Sequence, residues 1–138
     1  MSLSGKTLFI TGASRGIGQA IAFELGRQGA IVIGTATSAS GAERIAATLQ
    51  EHGISGTGME LNVTSAESVE AVLGAIAEQF GAPAILVNNA GITRDNLMLR
   101  MKDDEWHDVI NTNLNSLYRL SKAVLRGMTK ARFGRIIN

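Results

Sequence analysis

Short apolar runs alternate with stretches of helical periodicity along the whole chain. Lys6-Thr7-Leu8-Phe9-Ile10-Thr11 is too short for a helix and predicts a buried strand, ending abruptly in Gly12-Ala13-Ser14-Arg15-Gly16-Ile17-Gly18. Ile17, Ala20, Ile21 and Leu25 then predict a helical face that closes at Gly29. Ala30–Gly34 predicts a second buried strand, and Thr35–Ser40 a loop of small residues. Ala42, Ile45, Ala46 and Leu49 form the next helical stripe, which ends near His52-Gly53. Residues 57–63 carry a weaker strand pattern. Thr64 and Glu67 have capping-box spacing, ahead of a helix with Val69, Val72, Leu73, Ile76 and Phe80 on one face. Gly81 and Pro83 stop it, and Ala84-Ile85-Leu86-Val87 predicts a fourth strand ending at Asn88-Asn89-Ala90-Gly91. A short helix follows around Asp103–Thr112, with Trp106, Val109 and Ile110 as its apolar face. Leu114, Leu117, Ser121, Val124, Leu125 and Met128 give a long stripe to about Arg132, and Arg135-Ile136-Ile137 opens a fifth strand.

Regular β-α alternation with short apolar strands implies a parallel sheet, and right-handed crossovers place helices on both of its faces. The expected fold class is α/β, a Rossmann-type doubly wound sheet. The fifth strand has no helix after it, so residues 1–138 are expected to be the N-terminal portion of one dinucleotide-binding domain, cut in or after that strand. With 138 residues, 45% apolar, the chain has ample material for a core, and a net charge of +1 excludes a charge-driven disordered chain. Sixteen glycines without a collagen period each require a local explanation. The absence of cysteine excludes disulfides and thiolate chemistry. Of the two histidines, His52 and His107, the second sits among Asp104, Glu105 and Asp108 without another imidazole, so no metal site is expected. No apolar run approaches the ~18 residues of a membrane span and the N-terminus lacks a signal-peptide core, which makes a cytoplasmic protein the expectation.

The glycine-rich turn carries the strongest chemical signal. Its GxxxGxG spacing lies between a predicted strand and a predicted helix, where Gly12 permits a tight turn and Gly16 lets the backbone approach a phosphate. Gly18 allows the helix to pack close to the strand, and the free N–H groups of the first helical turn would meet a pyrophosphate. No GxxxxGK[ST] is present, which disfavours an ATP- or GTP-binding P-loop. A carboxylate at the end of the second strand normally holds the free ribose hydroxyls of NAD, yet no acid lies between Ile31 and Gly41. Arg15 supplies nearby positive charge, and Thr37 and Ser38 supply hydrogen-bond donors, so NADP(H) is expected over NAD(H).

Thr11-Gly12-Ala13-Ser14-Arg15-Gly16-Ile17-Gly18, Asn88-Asn89-Ala90-Gly91 and Asn113, in this order, resemble the short-chain dehydrogenase/reductase family over the full 138 residues. Within the family the resemblance is to reductases of 3-oxoacyl groups borne on acyl carrier protein in type II fatty acid synthesis. It is carried by Gly34-Thr35-Ala36-Thr37-Ser38, Leu61-Asn62-Val63-Thr64, Ile92-Thr93-Arg94-Asp95-Asn96 and Met101-Lys102-Asp103-Asp104-Glu105-Trp106. The resemblance implies that Gly12, Ala13, Ser14, Arg15, Gly16, Ile17 and Gly18 surround the cofactor phosphates and that Thr37 approaches the adenosine 2′-phosphate. It further implies Asn62 and Val63 beside the adenine, and Asn89, Ala90, Gly91 and Ile92 on the ribose and nicotinamide side. Asn88 reads instead as a tie between strands. Asn113 matches the family's active-site Asn, which acts through a distorted backbone and a water linked to a catalytic Lys. The family's catalytic Ser and Tyr-x-x-x-Lys would follow Asn138, so the 138-residue chain alone is expected to be inactive. Tyr118 and Lys122 mimic the spacing but fall on the preceding helix, where Tyr118 reads as a packed residue.

Charge is unevenly placed: residues 1–118 carry a net −5, whereas 119–138 carry Arg119, Lys122, Arg126, Lys130, Arg132 and Arg135 with no acid. This is either a solvated helix face favoured by the helix dipole or a docking patch for an acidic partner. No nucleic-acid recognition motif accompanies it, so nucleic acid is not the expected partner. The resemblance implies acyl carrier protein as the partner, with Arg132 as a carrier-contacting cation, and a homotetramer built as a dimer of dimers. Arg119 and Lys122 are read as subunit-interface residues. Two other functions stay open: reduction of another ketone, such as acetoacetyl-CoA or a polyketide intermediate, and a non-catalytic dinucleotide-binding protein.

Overall fold

The computed structural model describes residues 3–138. Five strands, β1 (Thr7–Ile10), β2 (Ile31–Ala36), β3 (Gly56–Glu60), β4 (Ile85–Val87) and β5 (Arg135–Ile137), form one sheet in the order β3-β2-β1-β4-β5. Every neighbouring pair is parallel, with Phe9 opposite both Ile33 and Leu86 in the centre. The chain winds outward from β1 to β3, then returns to lay β4 on the other side of β1. That reversal makes the carboxyl ends of β1 and β4 the point where loops diverge and a ligand crevice opens.

The central strands are apolar throughout because both sheet faces are covered. Leu8, Ile10, Val32, Ile85 and Val87 pack on α1 (Gly16–Arg27) and α2 (Ala39–Glu51) through Ala22, Ile45 and Leu49. On the opposite face Phe9, Ile33 and Leu86 meet α3 (Ala66–Phe80) and α5 (Ser116–Ala131) through Val69, Val72, Ile76, Leu120, Val124 and Met128. The predicted doubly wound class is the one observed. Among the described residues no helix is long and apolar enough to cross a membrane.

Several boundaries differ from the sequence reading, each for a local reason. In α1 the buried positions are Gly18 and Ala22, while Ile17 is 75% exposed at the mouth of the glycine turn. Strand β2 runs on to Ala36, and Ser38 caps α2 by accepting the Gly41 N–H at 3.1 Å, so the expected loop shrinks to a few residues. The cap of α3 is Ser65, which accepts the Ser68 N–H at 3.2 Å, and not Thr64. Thr64 is instead turned back by Asn62, whose Oδ1 accepts its N–H and its hydroxyl, and this Asx turn ends β3 at Glu60.

The last two predicted helices form one rod. Asp103–Ile110 (α4) passes through a π-helical turn at Asn111–Asn115 into α5, and the Ser116 N–H reaches back to Asn111 O. No residue of α4 is fully buried: of its expected apolar face, Val109 and Ile110 are half-buried and Trp106 is exposed. In α5 the buried stripe keeps the predicted Val124 and Met128 but runs back through Leu120 and Ser116 to the π turn, leaving Leu114 and Leu125 outside.

Candidate functional site

The glycine turn and the Asn-rich turn meet at the carboxyl ends of β1 and β4. Thr11 directly follows β1 and is essentially inaccessible, and its Oγ1 accepts the N–H groups of Asn89 at 3.1 Å and Ala90 at 2.9 Å. Asn89 Nδ2 donates to Gly12 O at 2.9 Å. Two loops separated by nearly eighty residues are thereby fixed in one register. The geometry leaves no room for side chains at the contact. A Cβ on Gly18 would lie 2.1 Å from Gly12 O, and Gly12 itself has φ +66° with Ala90 Cα against it.

Gly16 is different. It also has positive φ, +60°, but a Cβ there would meet nothing within 4 Å, so this glycine faces open space at the start of α1. Helices α2 and α3 have serine caps, whereas α1 has no side-chain cap and no acidic residue in its first turn. The helix therefore presents unsatisfied N–H groups and the positive end of its dipole to the crevice. An open, uncapped, carboxylate-free helix start behind a glycine turn fits a phosphate group.

The remaining candidates lie along the same sheet edge, with one exception. Thr37 is exposed just beyond β2, and Asn62 and Val63 form the turn beyond β3, Asn62 exposed and Val63 buried. Ser14 is half-buried and Arg15 exposed, while Ala13 points inward among the core residues and donates its N–H to Thr35 O at 2.9 Å. Gly91 and Ile92 continue from Asn89 and Ala90 toward Asn113 in the π-helical turn. Asn113 Oδ1 accepts the Ile92 N–H at 2.8 Å, and its Nδ2 donates to Ile92 O at 2.8 Å. Asn88 donates from Nδ2 to Asn138 Oδ1 at 2.8 Å, a tie from the end of β4 to the end of β5. Arg132 is the exception: it caps the C-terminus of α5 with φ +55°, just before β5, at the amino edge of the sheet.

Tyr118 and Lys122 stand apart from the crevice. The ammonium lies 3.3 Å from the phenol oxygen, but both residues line a groove between α3 and α5 with Val69, Leu73 and Arg126. Tyr118 is 69% exposed, which corrects the expectation of a packed helix residue. Two residues outside the predicted site take part in its framework. Thr11 was legible as the β-branched polar residue directly before the first glycine. Arg119 had no sequence signal, because its partner is a backbone carbonyl on another element. Its Nη1 donates to Val63 O at 2.6 Å.

A glycine turn at the reversal point of a doubly wound parallel sheet defines the dinucleotide-binding class. Residues 6–138 match the family described as short chain dehydrogenase, and the chain belongs to that family. Over all 138 residues it is 73% identical to the 3-oxoacyl-[acyl-carrier-protein] reductase FabG of Pseudomonas aeruginosa, covering 56% of that protein. It is 63% identical over the same span to the FabG reductase of Vibrio harveyi, covering 55% of it. Over 137 residues, 99% of the chain, it is 59% identical to the FabG reductase of Escherichia coli strain K12, covering 55% of that protein. The chain thus spans about half the length of the curated relatives it matches.

Proposed function

We propose that the full-length protein is an NADPH-dependent reductase converting 3-oxoacyl groups on acyl carrier protein to 3-hydroxyacyl groups. The observation that carries this reading is the locked pair of loops at the β1/β4 reversal, in a chain 73% identical along its whole length to a relative bearing that name. In this reading Gly12–Gly18 hold the phosphates on the α1 N-terminus, with Arg15 adding charge. Thr37 lies beside the 2′-phosphate, Asn62 and Val63 border the adenine, and Asn89–Ile92 line the ribose and nicotinamide. The acid-free stretch from Ile31 to Gly41 supports NADP(H), since no carboxylate opposes a 2′-phosphate. When bound, the cofactor supplies the hydride for carbonyl reduction. Asn113 orders the nicotinamide-side loop by binding both polar groups of Ile92, so that a carbonyl substrate meets a fixed backbone.

Assembly and partner follow from surfaces this chain leaves uncovered. Trp106 is 56%, Leu114 58% and Leu125 49% exposed on the continuous α4–α5 rod, which supports burial against further copies, as in a homotetramer. Arg132 is the candidate contact for the acidic carrier. From its position at the amino edge it does not adjoin the cofactor edge of its own chain, so the carrier reading engages it from outside that crevice.

Absorbance of NADPH measured on the full-length protein tests the reading. Oxidation driven by acetoacetyl-carrier protein, with higher kcat/KM than acetoacetyl-CoA or unrelated ketones, is the expected result. Faster turnover of a CoA-linked or polyketide substrate would reassign the substrate. Tight NADPH binding without oxidation by any ketone would make the protein a non-catalytic dinucleotide binder.

A further inference from the structure

We propose that Arg119 is a positioning residue for dinucleotide binding, acting through the turn that follows β3. The inference rests on the reading of Asn62 and Val63 as the adenine border. The turn is locally stiff: Asn62 Oδ1 accepts Thr64 N–H at 3.0 Å and the Thr64 hydroxyl at 2.6 Å, and the Asn62 N–H donates to Ser68 Oγ at 3.0 Å. Those bonds shape the turn, and the Leu61 N–H on Ala36 O at 2.8 Å ties its start to the end of β2, but none of them holds the Val63 carbonyl at its far side. Among the described residues no backbone N–H reaches Val63 O. The one hydrogen bond to that carbonyl comes from the half-buried Arg119 on α5, fifty-six residues away, at 2.6 Å.

A guanidinium on a carbonyl is a charge-assisted bond, stronger than a neutral one and directional because the fork is planar. Val63 packs its side chain beside Leu61 against Val69 and Val72, and its carbonyl loses a charge-assisted donor when Arg119 is removed. Loss of Arg119 therefore frees the turn to shift or open. A shifted turn weakens the adenosine half of the cofactor site and leaves the Asn89–Ile92 side, held by Thr11 and Asn113, in place. Arg119 lies one residue after Tyr118 and three before Lys122, yet its partner marks it as a support of the site and not as one more cation of the α5 surface.

The test uses the full-length protein, 2′,5′-ADP as probe of the adenosine half and reduced nicotinamide mononucleotide as probe of the other. Hydrogen–deuterium exchange on the wild type first asks whether 2′,5′-ADP protects residues 59–66; no protection overturns the adenine reading and this proposal with it. Given protection, Arg119→Gln is expected to raise the Kd for 2′,5′-ADP and for NADPH about tenfold each. It should leave the mononucleotide Kd and the kcat at saturating NADPH within about twofold. Unchanged 2′,5′-ADP affinity, or equal losses on both probes, overturns the proposal while leaving the adenine reading intact. Should Arg119→Gln fail to fold, Arg119→Lys decides: a selective loss of about threefold or more on 2′,5′-ADP supports the role, and none overturns it.

Discussion

Asn113 and Ile92 exchange two hydrogen bonds, the side-chain amide of one closing on both backbone polar groups of the other at 2.8 Å each. An amide side chain here does what a neighbouring strand would do, pinning a loop that no strand borders. It sits in a π-helical turn, whose extra residue displaces it from the regular helical position, and Gly91 lies close enough that an added Cβ would stand 3.3 Å from Asn113 Oδ1. Asn113→Ala removes both bonds and leaves a half-buried N–H and C=O unpaired. Destabilisation of about 2 kcal/mol is expected, with faster amide exchange at Ile92 and at least a tenfold fall in reductase kcat/KM of the full-length protein. Unchanged exchange at Ile92 would show that the loop is held by other contacts.

Gly16 and Gly18 separate two roles that the glycine turn combines. Gly18→Ala forces a Cβ into Gly12 O and Asn89 Nδ2, so the full-length variant is expected to unfold at markedly lower denaturant concentration or not to fold. Gly16→Ala meets nothing and pays only for its left-handed backbone, about 1–2 kcal/mol. Its larger effect should fall on NADPH affinity, because the methyl projects into the space beside the α1 N-terminus. Urea unfolding and fluorescence titration together distinguish the two.

Thr37 stands exposed past the end of β2 with no carboxylate nearby in sequence. Thr37→Asp is expected to weaken NADPH by tenfold or more, about 1.4 kcal/mol or above, while NADH is spared. Fluorescence titration of both nucleotides measures it, and equal NADPH affinity would place the 2′-phosphate elsewhere.

Arg132 adopts the left-handed conformation at the end of α5, where glycine is the favoured residue. Arg132→Gly therefore removes the charge without a backbone penalty and is expected to hold or raise stability by up to about 1 kcal/mol. If the guanidinium steers an acidic carrier, KM for carrier-linked substrate rises several-fold and the rise shrinks in high salt, with acetoacetyl-CoA turnover nearly unchanged. Steady-state kinetics on both substrates at two ionic strengths checks this, and identical KM values would leave the basic stretch as a solvated helix face.

The alternation of strand and helix, the parallel sheet and the glycine turn at its first crossover were legible because each depends on residues close together in sequence. Periodicity identified the buried faces of α2 and α3 correctly, since those helices pack on the sheet through one regular stripe. In α1 and α5 it was right in part: Ile21, Leu25, Val124 and Met128 pack on the core as predicted, while Ile17, Leu114 and Leu125 lie outside. In α1 the contact surface is the glycine–alanine edge that lets the helix approach Gly12, so the larger Ile17 is displaced outward. Ahead of α5 a π turn, which no composition marks, leaves Leu114 outside the stripe. The site divides in the same way. Chemical character at the strand ends was written in the chain, from the acid-free end of β2 to the Asn-rich turn after β4. Which atoms meet was not: Thr11 with Asn89 and Ala90, Asn113 with Ile92, and Arg119 with Val63 are bonds to backbone groups more than twenty residues away. Every residue offers the same N–H and C=O, so sequence cannot name the partner, and only the packing of α5 and β4 against the central strand brings these particular groups within reach.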